Sequence, residues 1–437
     1  MTVRQYTVAF TGGKVLSPLP DQGLYPADVL VSRDGTIAYV GLENRDEVAN
    51  ADVMIEAEGK WLLPGFVSAH SHLWQSKFAG QAPNGTVAEW GDGIYSEARE
   101  LSASEFYDLT IQGARNHIRR GITTAFNFTF SARFREGQSD RAQFEGALDT
   151  GIRFFHGFNI GAIRETWTPE LALRRARLFV DWASTFNHSD QYLGTMIAHH
   201  GINYDTDINT RMEAEVMRKL GLGGQIHYLE SPRPVDVDLE QSRWEWLRDA
   251  GAVNSKLILG HFLHPTPDIL DEAASAGLKM SWNPMSNGRL GSGIASGIAD
   301  IPKYRRHNLP IGMGVDGEAS SDRSDPFENM RVGLYSVRGK YEDPSALTPQ
   351  DVFHMHTLGA ADVLGVVGKV GSLEVGKLAD IVLLNPPHMG HLGDPVSAFV
   401  FSSGVEDIER VFIGGKEVWP RTPPLAEPTS NWPAWEF

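Results

Sequence analysis

Two histidines two positions apart, His70 and His72, close the apolar run from Leu62 to Ala69. On a strand, residues i and i+2 point to the same side, so both imidazoles can face one ion. Other apolar runs also end in groups that bind metals or move protons: His227 with Glu230 three positions on, His261, and Asp316. A single histidine after a strand is usually a hydrogen-bonded structural residue. A whole set at strand ends argues instead for one site. The chain has no cysteine, so any metal must be held by His and carboxylate, and thiol nucleophiles, disulfides and Cys-ligated zinc deaminase folds are excluded. A second His-x-His, His354-Met355-His356, is a useful control. It follows Thr348-Pro349-Gln350-Asp351, an N-cap with Pro at the first helical position. Two residues apart on a helix diverge by about 200°, so this pair is read as structural.

The elements that position the first set are legible as eight strand-like runs: Leu62 to Ala69, Thr123 to Phe128, Arg153 to Phe158, Leu193 to Ala198, Gln225 to Tyr228, Leu257 to Gly260, Lys279 to Trp282, and Leu309 to Gly314. Helical patterns separate them, which is the signature of parallel βα units. One such helix is predicted over Thr168 to Trp182, with Pro169 at its start and Leu171, Leu173, Ala176 and Val180 as its buried stripe. Eight units predict an α/β fold, a (β/α)8 TIM-like barrel, in which catalytic groups sit at the C-terminal ends of the strands. His199-His200 ends the fourth run, where neighbours alternate faces, so one of the two should look into the site. Short β-rich runs such as Val29-Leu30-Val31, Ile37 to Val40, Asp380 to Leu384 and Val411 to Ile413, with Gly414-Gly415 as a hairpin turn, occupy both ends of the chain. The expected division is a small β-sandwich built from residues 1–60 and 368–437, with the barrel, 61–367, inserted between them. The tail from Pro420 is read as a segment that wraps over a neighbour or another subunit.

Bulk properties agree with an enzyme acting on small molecules. The 437 residues suit one barrel plus a companion domain, and 41% hydrophobic with 22% charged residues is ordinary globular composition. A formal charge of -16 repels nucleic acid and anionic membranes and favours a neutral or cationic substrate. The first residues lack a basic region followed by an apolar core, and no run of 18 apolar residues occurs, so a soluble, cytoplasmic protein is expected. Gly291-Ser292-Gly293 lacks the third glycine of a dinucleotide fingerprint, and the Asn-x-Ser/Thr triplets at Asn84, Asn127 and Asn187 carry no meaning without a secretion signal.

Several stretches resemble one known family. Leu63-Pro64-Gly65-Phe66-Val67-Ser68-Ala69-His70-Ser71-His72 is similar to the opening metal motif of the amidohydrolase superfamily, and Gly121-Ile122-Thr123-Thr124 and Gly371 to Asp380 resemble two further stretches of it. His227-Tyr228-Leu229-Glu230, Asn283-Pro284-Met285-Ser286-Asn287 with Leu290, and Gly314-Val315-Asp316-Gly317 resemble the branch of adenosine- and S-adenosylhomocysteine-type deaminases and triazine hydrolases. The resemblance runs from about residue 8 to residue 418. It implies metal ligands His70, His72, His227 and Asp316, catalytic roles for Glu230 and His261, and a substrate contact from His200. Two departures stand out: His199 replaces the usual proline before the fourth-strand histidine, and Asn127 replaces the usual acidic residue on the second strand. Trp74-Gln75 is also an uncommon form of that position, and an aromatic there suits a flat substrate.

The residue types carry a mechanism of their own. A divalent ion makes bound water acidic near neutral pH; Asp316 can accept a proton, His261 can orient the attacking oxygen, and Glu230 can protonate a ring nitrogen and then the leaving amine. Zinc fits a His3Asp set, with Fe2+ or Mn2+ as alternatives. The resemblance implies that a two-metal site would be bridged by a modified lysine on the fourth strand, and the absence of a lysine from Leu193 to His200 points to one ion. The expected reaction is deamination of a purine, pyrimidine, pterin or triazine. Trp74, Gln75, His200, Asn287 and Arg289 are the expected substrate contacts. Hydrolytic loss of halide or alkylamine, amide hydrolysis, and a non-catalytic binding protein are the alternatives. A homodimer or larger homo-oligomer is the common case for such proteins.

Overall fold

A computed structural model describes residues 5–42, 48–130, 137–160, 168–187, 190–231, 233–292, 299–386 and 393–419. The tail from Pro420, the Asn187 triplet and the glycine motif ending at Gly293 fall wholly or partly outside the described residues.

Two sheets organise the chain. The first joins both ends of the sequence: β1 (Tyr6–Leu16), β2 (Leu24–Ser32), β3 (Ile37–Gly41), β4 (Ala51–Glu56) and β5 (Trp61–Pro64) with β15 (Ile381–Leu384), β16 (Ile408–Ile413) and β17 (Lys416–Trp419). Its order is β17-β16-β15-β5-β1-β2-β3, with β4 added alongside β1. Leu383 pairs with Leu62 across the antiparallel β15–β5 contact, so distant segments meet because each carries an apolar face. Phe10, Val29, Val31, Leu62, Ile381 and Phe412 form that face's buried cluster. The hairpin expected at Gly414-Gly415 joins β16 to β17, both glycines at positive φ.

The second sheet is parallel throughout and curled: β6 (Phe66–His72), β7 (Ile122–Phe128), β8 (Arg153–Phe158), β9 (Tyr192–His199), β10 (Gly224–Tyr228), β11 (Leu257–His261), β12 (Lys279–Trp282), β13 (Ile311–Met313) and β14 (Asp316–Gly317). They hydrogen-bond in the order β13-β12-β11-β10-β9-β8-β7-β6-β14. Most of their residues are buried, as strands covered on both faces must be.

Two expected strands are interrupted, each where another part of the fold comes close. The run from Leu62 to Ala69 breaks at Gly65, where the chain passes from the first sheet to the second. A Cβ there would lie 2.1 Å from Thr123 Oγ1, so only glycine lets β6 and β7 approach, and Gly65 N–H donates to the Asp380 carbonyl at 2.9 Å. The eighth run, Leu309 to Gly314, contains β13, while Asp316 just beyond it opens a separate strand, β14, two residues on in sequence but at the opposite end of the hydrogen-bond path. The break is set by Gly314, whose Cβ would meet the His70 nitrogen at 2.7 Å, and by Asp316 at φ 59°.

The helix Pro169–Ser184 starts at its Thr168 cap as expected, but its buried stripe is Ala172, Arg175, Ala176, Phe179 and Ala183 rather than the leucines. A buried Arg175 sits 3.7 Å from Asp140, and a charged residue on the inner face hid the true phase. The second His-x-His lies on a helix, Pro349–His354, that runs into the π-helical turn Met355–Gly359. His356 there is buried between the Val67 carbonyl and Asn329, 3.1 Å from each, which is the structural role expected. Arg153 of β8 makes a buried bidentate pair with Asp380, at 2.9 Å from Nε and from Nη2, tying the two sheets together. No helix among the described residues is long and apolar enough to cross a membrane.

Candidate functional site

Parallel strands deliver their last side chains to one end of the curled sheet, and four of these converge. His70 and His72 end β6, His227 lies in β10 and Asp316 opens β14. His70 Nε2 and His72 Nε2 lie 3.3 and 3.2 Å from Asp316 Oδ1, and His72 Nε2 lies 3.2 Å from His227 Nε2. One ligand atom from each of the four falls within 4.8 Å of all the others.

The opposite nitrogens show why these atoms converge. His70 Nδ1 donates to Gln225 Oε1 at 2.5 Å, and the Gln225 amide is fixed in that orientation because its nitrogen donates to the Ala69 carbonyl. His72 Nδ1 donates to the Phe128 carbonyl at 2.8 Å. With each Nδ1 carrying the proton, each Nε2 is a lone pair, and several lone pairs aimed at one buried point repel unless a cation lies there. His70 Nε2 is buried and has no hydrogen-bond donor among the described residues. Burial, and then the neighbouring imidazoles, hold the His227 imidazole well below its usual range. Neutral imidazoles with an ionised carboxylate are the donor set a divalent metal takes, and the residues fit one.

Glu230 and His261 flank this point. His261 Nε2 lies 3.7 Å from Glu230 Oε2 and 3.9 Å from Asp316 Oδ2, and its ring stacks on His227 with centroids 5.4 Å apart. Burial lowers the His261 imidazole to about 3. Burial, then the charges of Asp316 and Glu240, raise the Glu230 carboxyl well above its usual value, which suits a proton donor. Backbone strain concentrates here: Leu229, His261 and Asp316 all have φ between 55° and 67°, conformations non-glycine residues keep only when the surroundings enforce them.

These groups open into a cavity of about 280 Å³. Aromatic walls come from Trp90 and Tyr95 on the helix Val87–Ala98 and from Phe130 beyond β7; Glu230, Glu240 and Asp316 supply carboxylates. Phe130 stacks on His72 at 5.4 Å. His200 lines the cavity, 3.0 Å from Asn203. His199 turns the other way, to Glu213 at 3.2 Å, and the same carboxylate accepts the His200 and Gly201 N–H groups. One of the pair faces the site, as alternation requires.

Other expected contacts lie elsewhere. Trp74 is fully buried against Phe78, Tyr95 and Phe106 and does not line the cavity; its ring packs in the core because the chain turns into a short 3-10 helix, Leu73–Gln75, directly after β6. Gln75 is buried behind Gly317, where a Cβ would collide with its amide oxygen. Arg289 clamps a loop instead, bonding Asp322, Ala82 and Gln81. Asn287 stands behind His261 rather than over the cavity. Asn127, in the place of an acidic residue, accepts the Leu73 N–H at 3.0 Å. Sequence reading missed Gln225, Glu240 and the Trp90, Tyr95 and Phe130 walls. Gln225 alone left a signal, an amide two positions before His227 on the same face of a strand.

Residues 61–418 match the amidohydrolase family. Among curated proteins, the chain is 29% identical over 417 residues to a 5'-deoxyadenosine deaminase of Methanothermobacter thermautotrophicus, covering 94% of this chain and 92% of that one. It is 26% identical over 395 residues to a 5-methylthioadenosine/S-adenosylhomocysteine deaminase of Acetivibrio thermocellus, covering 88% of each. Among solved structures, an adenosine deaminase of Xanthomonas campestris with bound zinc superposes with a TM-score of 0.82 at 24% identity, covering 94% of this chain and 92% of that one. A zinc complex of the atrazine chlorohydrolase of Arthrobacter aurescens (E241Q mutant) gives 0.81 at 21%, covering 94% and 95%. At these identities the two structures speak for the fold.

Proposed function

The chain belongs to the amidohydrolase family, and we propose that it hydrolytically deaminates a planar nitrogen heterocycle, with amino-purines carried on 5'-modified nucleosides as the first candidates. The observation that carries this reading is the pairing of a four-residue donor set with the Glu230 carboxyl, 3.7 Å from His261 and raised above its usual range by desolvation, beside a cavity walled by aromatic rings. The relatives described above are named as deaminases of adenosine derivatives, which supports the purine over the other rings. In this reading the curled sheet is a (β/α)8 barrel whose eighth strand is split, and residues 1–60 with 368–437 form its companion domain. The protein works in the cytoplasm as a homodimer or larger homo-oligomer.

His70, His72, His227 and Asp316 would hold one divalent ion, zinc before Fe2+ or Mn2+, which when bound supplies the Lewis acid that lets water react near neutral pH. The remaining work falls to the chain. Asp316 would accept the proton of the attacking water, its Oδ2 lying 3.9 Å from His261. Glu230 gives its proton to the ring nitrogen beside the attacked carbon, takes the proton of the newly added hydroxyl and passes it to the amine, so ammonia leaves as the C=O forms. The proton held by Asp316 then goes to solvent, from which Glu230 is reprotonated. His261 donates to the attacking oxygen and steadies charge at that carbon. His200 contacts a ring substituent, and Phe130 offers a flat apolar face.

The test pairs elemental analysis of purified protein with ammonia detection across purines, 5'-modified adenosines, pyrimidines, pterins and triazines, with acyl-amino acids and dipeptides as amide controls. About one equivalent of metal per chain, lost in His70→Ala, together with ammonia from an amino-heterocycle, is expected. Efficient amide hydrolysis with no ammonia from any heterocycle would replace the deaminase with a metal-dependent amidase. Release of halide or alkylamine in place of ammonia would identify the third chemistry.

A further inference from the structure

We infer that Asn287 is a positioning residue that holds His261 in the tautomer protonated at Nε2, so that His261 acts as a hydrogen-bond donor and the role of proton acceptor is left to Asp316. The inference deepens the proposed function and rests on the role given there to His261.

Both ends of the His261 ring lead to the same tautomer. Asn287 Nδ2 lies 2.8 Å from His261 Nδ1, and both residues are fully buried. An amide N–H can only donate, so Nδ1 is an acceptor and the ring proton must sit on Nε2. At the far end, Nε2 faces two carboxyl groups, Glu230 Oε2 at 3.7 Å and Asp316 Oδ2 at 3.9 Å. A lone pair there would oppose the Asp316 carboxylate, whereas an N–H is attracted to it; a protonated Glu230 accommodates either form, so Asp316 decides the far end. The reversed amide, with Asn287 Oδ1 against Nδ1, would create that opposition; in the orientation observed, Asn287 Oδ1 is buried without a hydrogen-bond donor among the described residues. Asn283 does not compete for the ring edge. Its Nδ2 is nearly equidistant from both ring nitrogens, at 3.5 and 3.4 Å, which places it over the ring face. Asn287 is held in turn by the turn it occupies: its N–H donates to the Asn283 carbonyl and its carbonyl accepts the Ser292 N–H. The motif Asn283-Pro284-Met285-Ser286-Asn287 therefore delivers an amide to the back of His261, while the ring's other nitrogen points at the reacting groups.

The consequence is a division of labour. A histidine protonated at Nε2 cannot take a proton from water at that atom, so it aligns the attacking oxygen and leaves deprotonation to Asp316. An aspartate at position 287 would invert this. It is nearly isosteric, but it only accepts, so it would draw the proton to Nδ1 and turn a lone pair towards the Asp316 carboxylate.

The experiment uses full-length protein labelled with 15N-histidine, zinc-loaded and metal-free, and reads the tautomer of His261 from long-range 1H–15N correlations, its signal assigned by its loss in His261→Asn. Wild type should show the pattern of Nε2 protonation and Asn287→Asp that of Nδ1 or double protonation. In parallel, kcat should fall about 100-fold in Asn287→Asp and only about 10-fold in Asn287→Ala, where the tautomer is free to choose, with KM and metal content near wild type in both. A packing role predicts the reverse order, since aspartate preserves the volume. Nδ1 protonation in the wild type, or an unchanged pattern in both variants, would overturn the inference. Should Asn287→Asp not fold, a mixed tautomer in Asn287→Ala supports the inference and an unaltered one defeats it. The tautomer is read without substrate, so a failure of the deaminase reading would show separately, as absence of ammonia with the spectrum intact.

Discussion

Gln225 Oε1 lies 2.5 Å from His70 Nδ1 while its own amide nitrogen donates to the carbonyl of Ala69, the residue before that histidine. One side chain on β10 thus grips both the ring and the backbone of β6, and it can do so only with its oxygen towards the imidazole. The tautomer of His70 is fixed by this contact, and with it the direction of the Nε2 lone pair.

Gln225→Leu should therefore weaken metal binding by about 10- to 100-fold without abolishing the fold, since the leucine fills similar space. Competition against a chelator of known affinity reads the effect. An unchanged metal affinity would mean that packing alone orients His70.

Glu230→Gln keeps shape but removes the proton. The turnover rate should fall by about 10² or more with metal content preserved. Burial first, then the charges of Asp316 and Glu240, raise this carboxyl, so it stays protonated well above the usual carboxylate range and the rate should fall as pH climbs through the raised value. A pH-rate profile checks this. Persistence of the same alkaline limb in Glu230→Gln would assign that limb to another group.

The strands were readable from sequence because the runs are short, mainly apolar and separated by helical patterns, with several followed by a polar residue, and for β8 and β12 the expected limits match the observed ones. Close backbone approach left no such mark. The breaks at Gly65 and Gly314 depend on Thr123 and His70 arriving from elsewhere in the fold, which no local pattern records. Trp74 shows the same limit in the site: its position after His72 placed it near the metal centre, but the direction of its ring follows from the 3-10 turn at Leu73–Gln75. The cavity walls at Trp90 and Tyr95 belong to a helix whose residues form no motif, and Glu240 reaches the cavity from a helix far along the chain from β6.

Trp74 and Phe130 should separate under mutation. Trp74→Ala removes a fully buried ring from the core and should cost about 3–5 kcal/mol of stability, measured by denaturant unfolding. Phe130→Leu keeps most of the volume and loses the flat face, so KM should rise by about 3- to 10-fold, the equivalent of about 0.5–1.5 kcal/mol of aromatic contact, with a small stability change. A larger KM effect from Trp74 than from Phe130 would return the stacking role to Trp74.

Glu240 gives a prediction that needs no substrate. Its carboxylate accepts the Leu229 N–H and its backbone carbonyl accepts the Tyr228 hydroxyl, so it braces the positive-φ turn that aims Glu230. Burial raises its pKa from 4.5 to about 7, although the Leu229 N–H works to lower it. The sign follows: below about pH 4 the carboxyl is neutral in both folded and unfolded chains and has no effect. Between there and about pH 7 the unfolded chain ionises while the folded one resists, so stability falls as pH rises, by up to about 3 kcal/mol once both forms are charged. Glu240→Gln can still accept from Leu229 but has nothing to ionise. The variant should match wild type near pH 4.5 and become progressively more stable than wild type towards pH 8, in denaturant unfolding of metal-loaded protein at each pH. A difference that stays constant across that range would show that Glu240 titrates at the same pH folded and unfolded, and that its buried contacts alone set its worth.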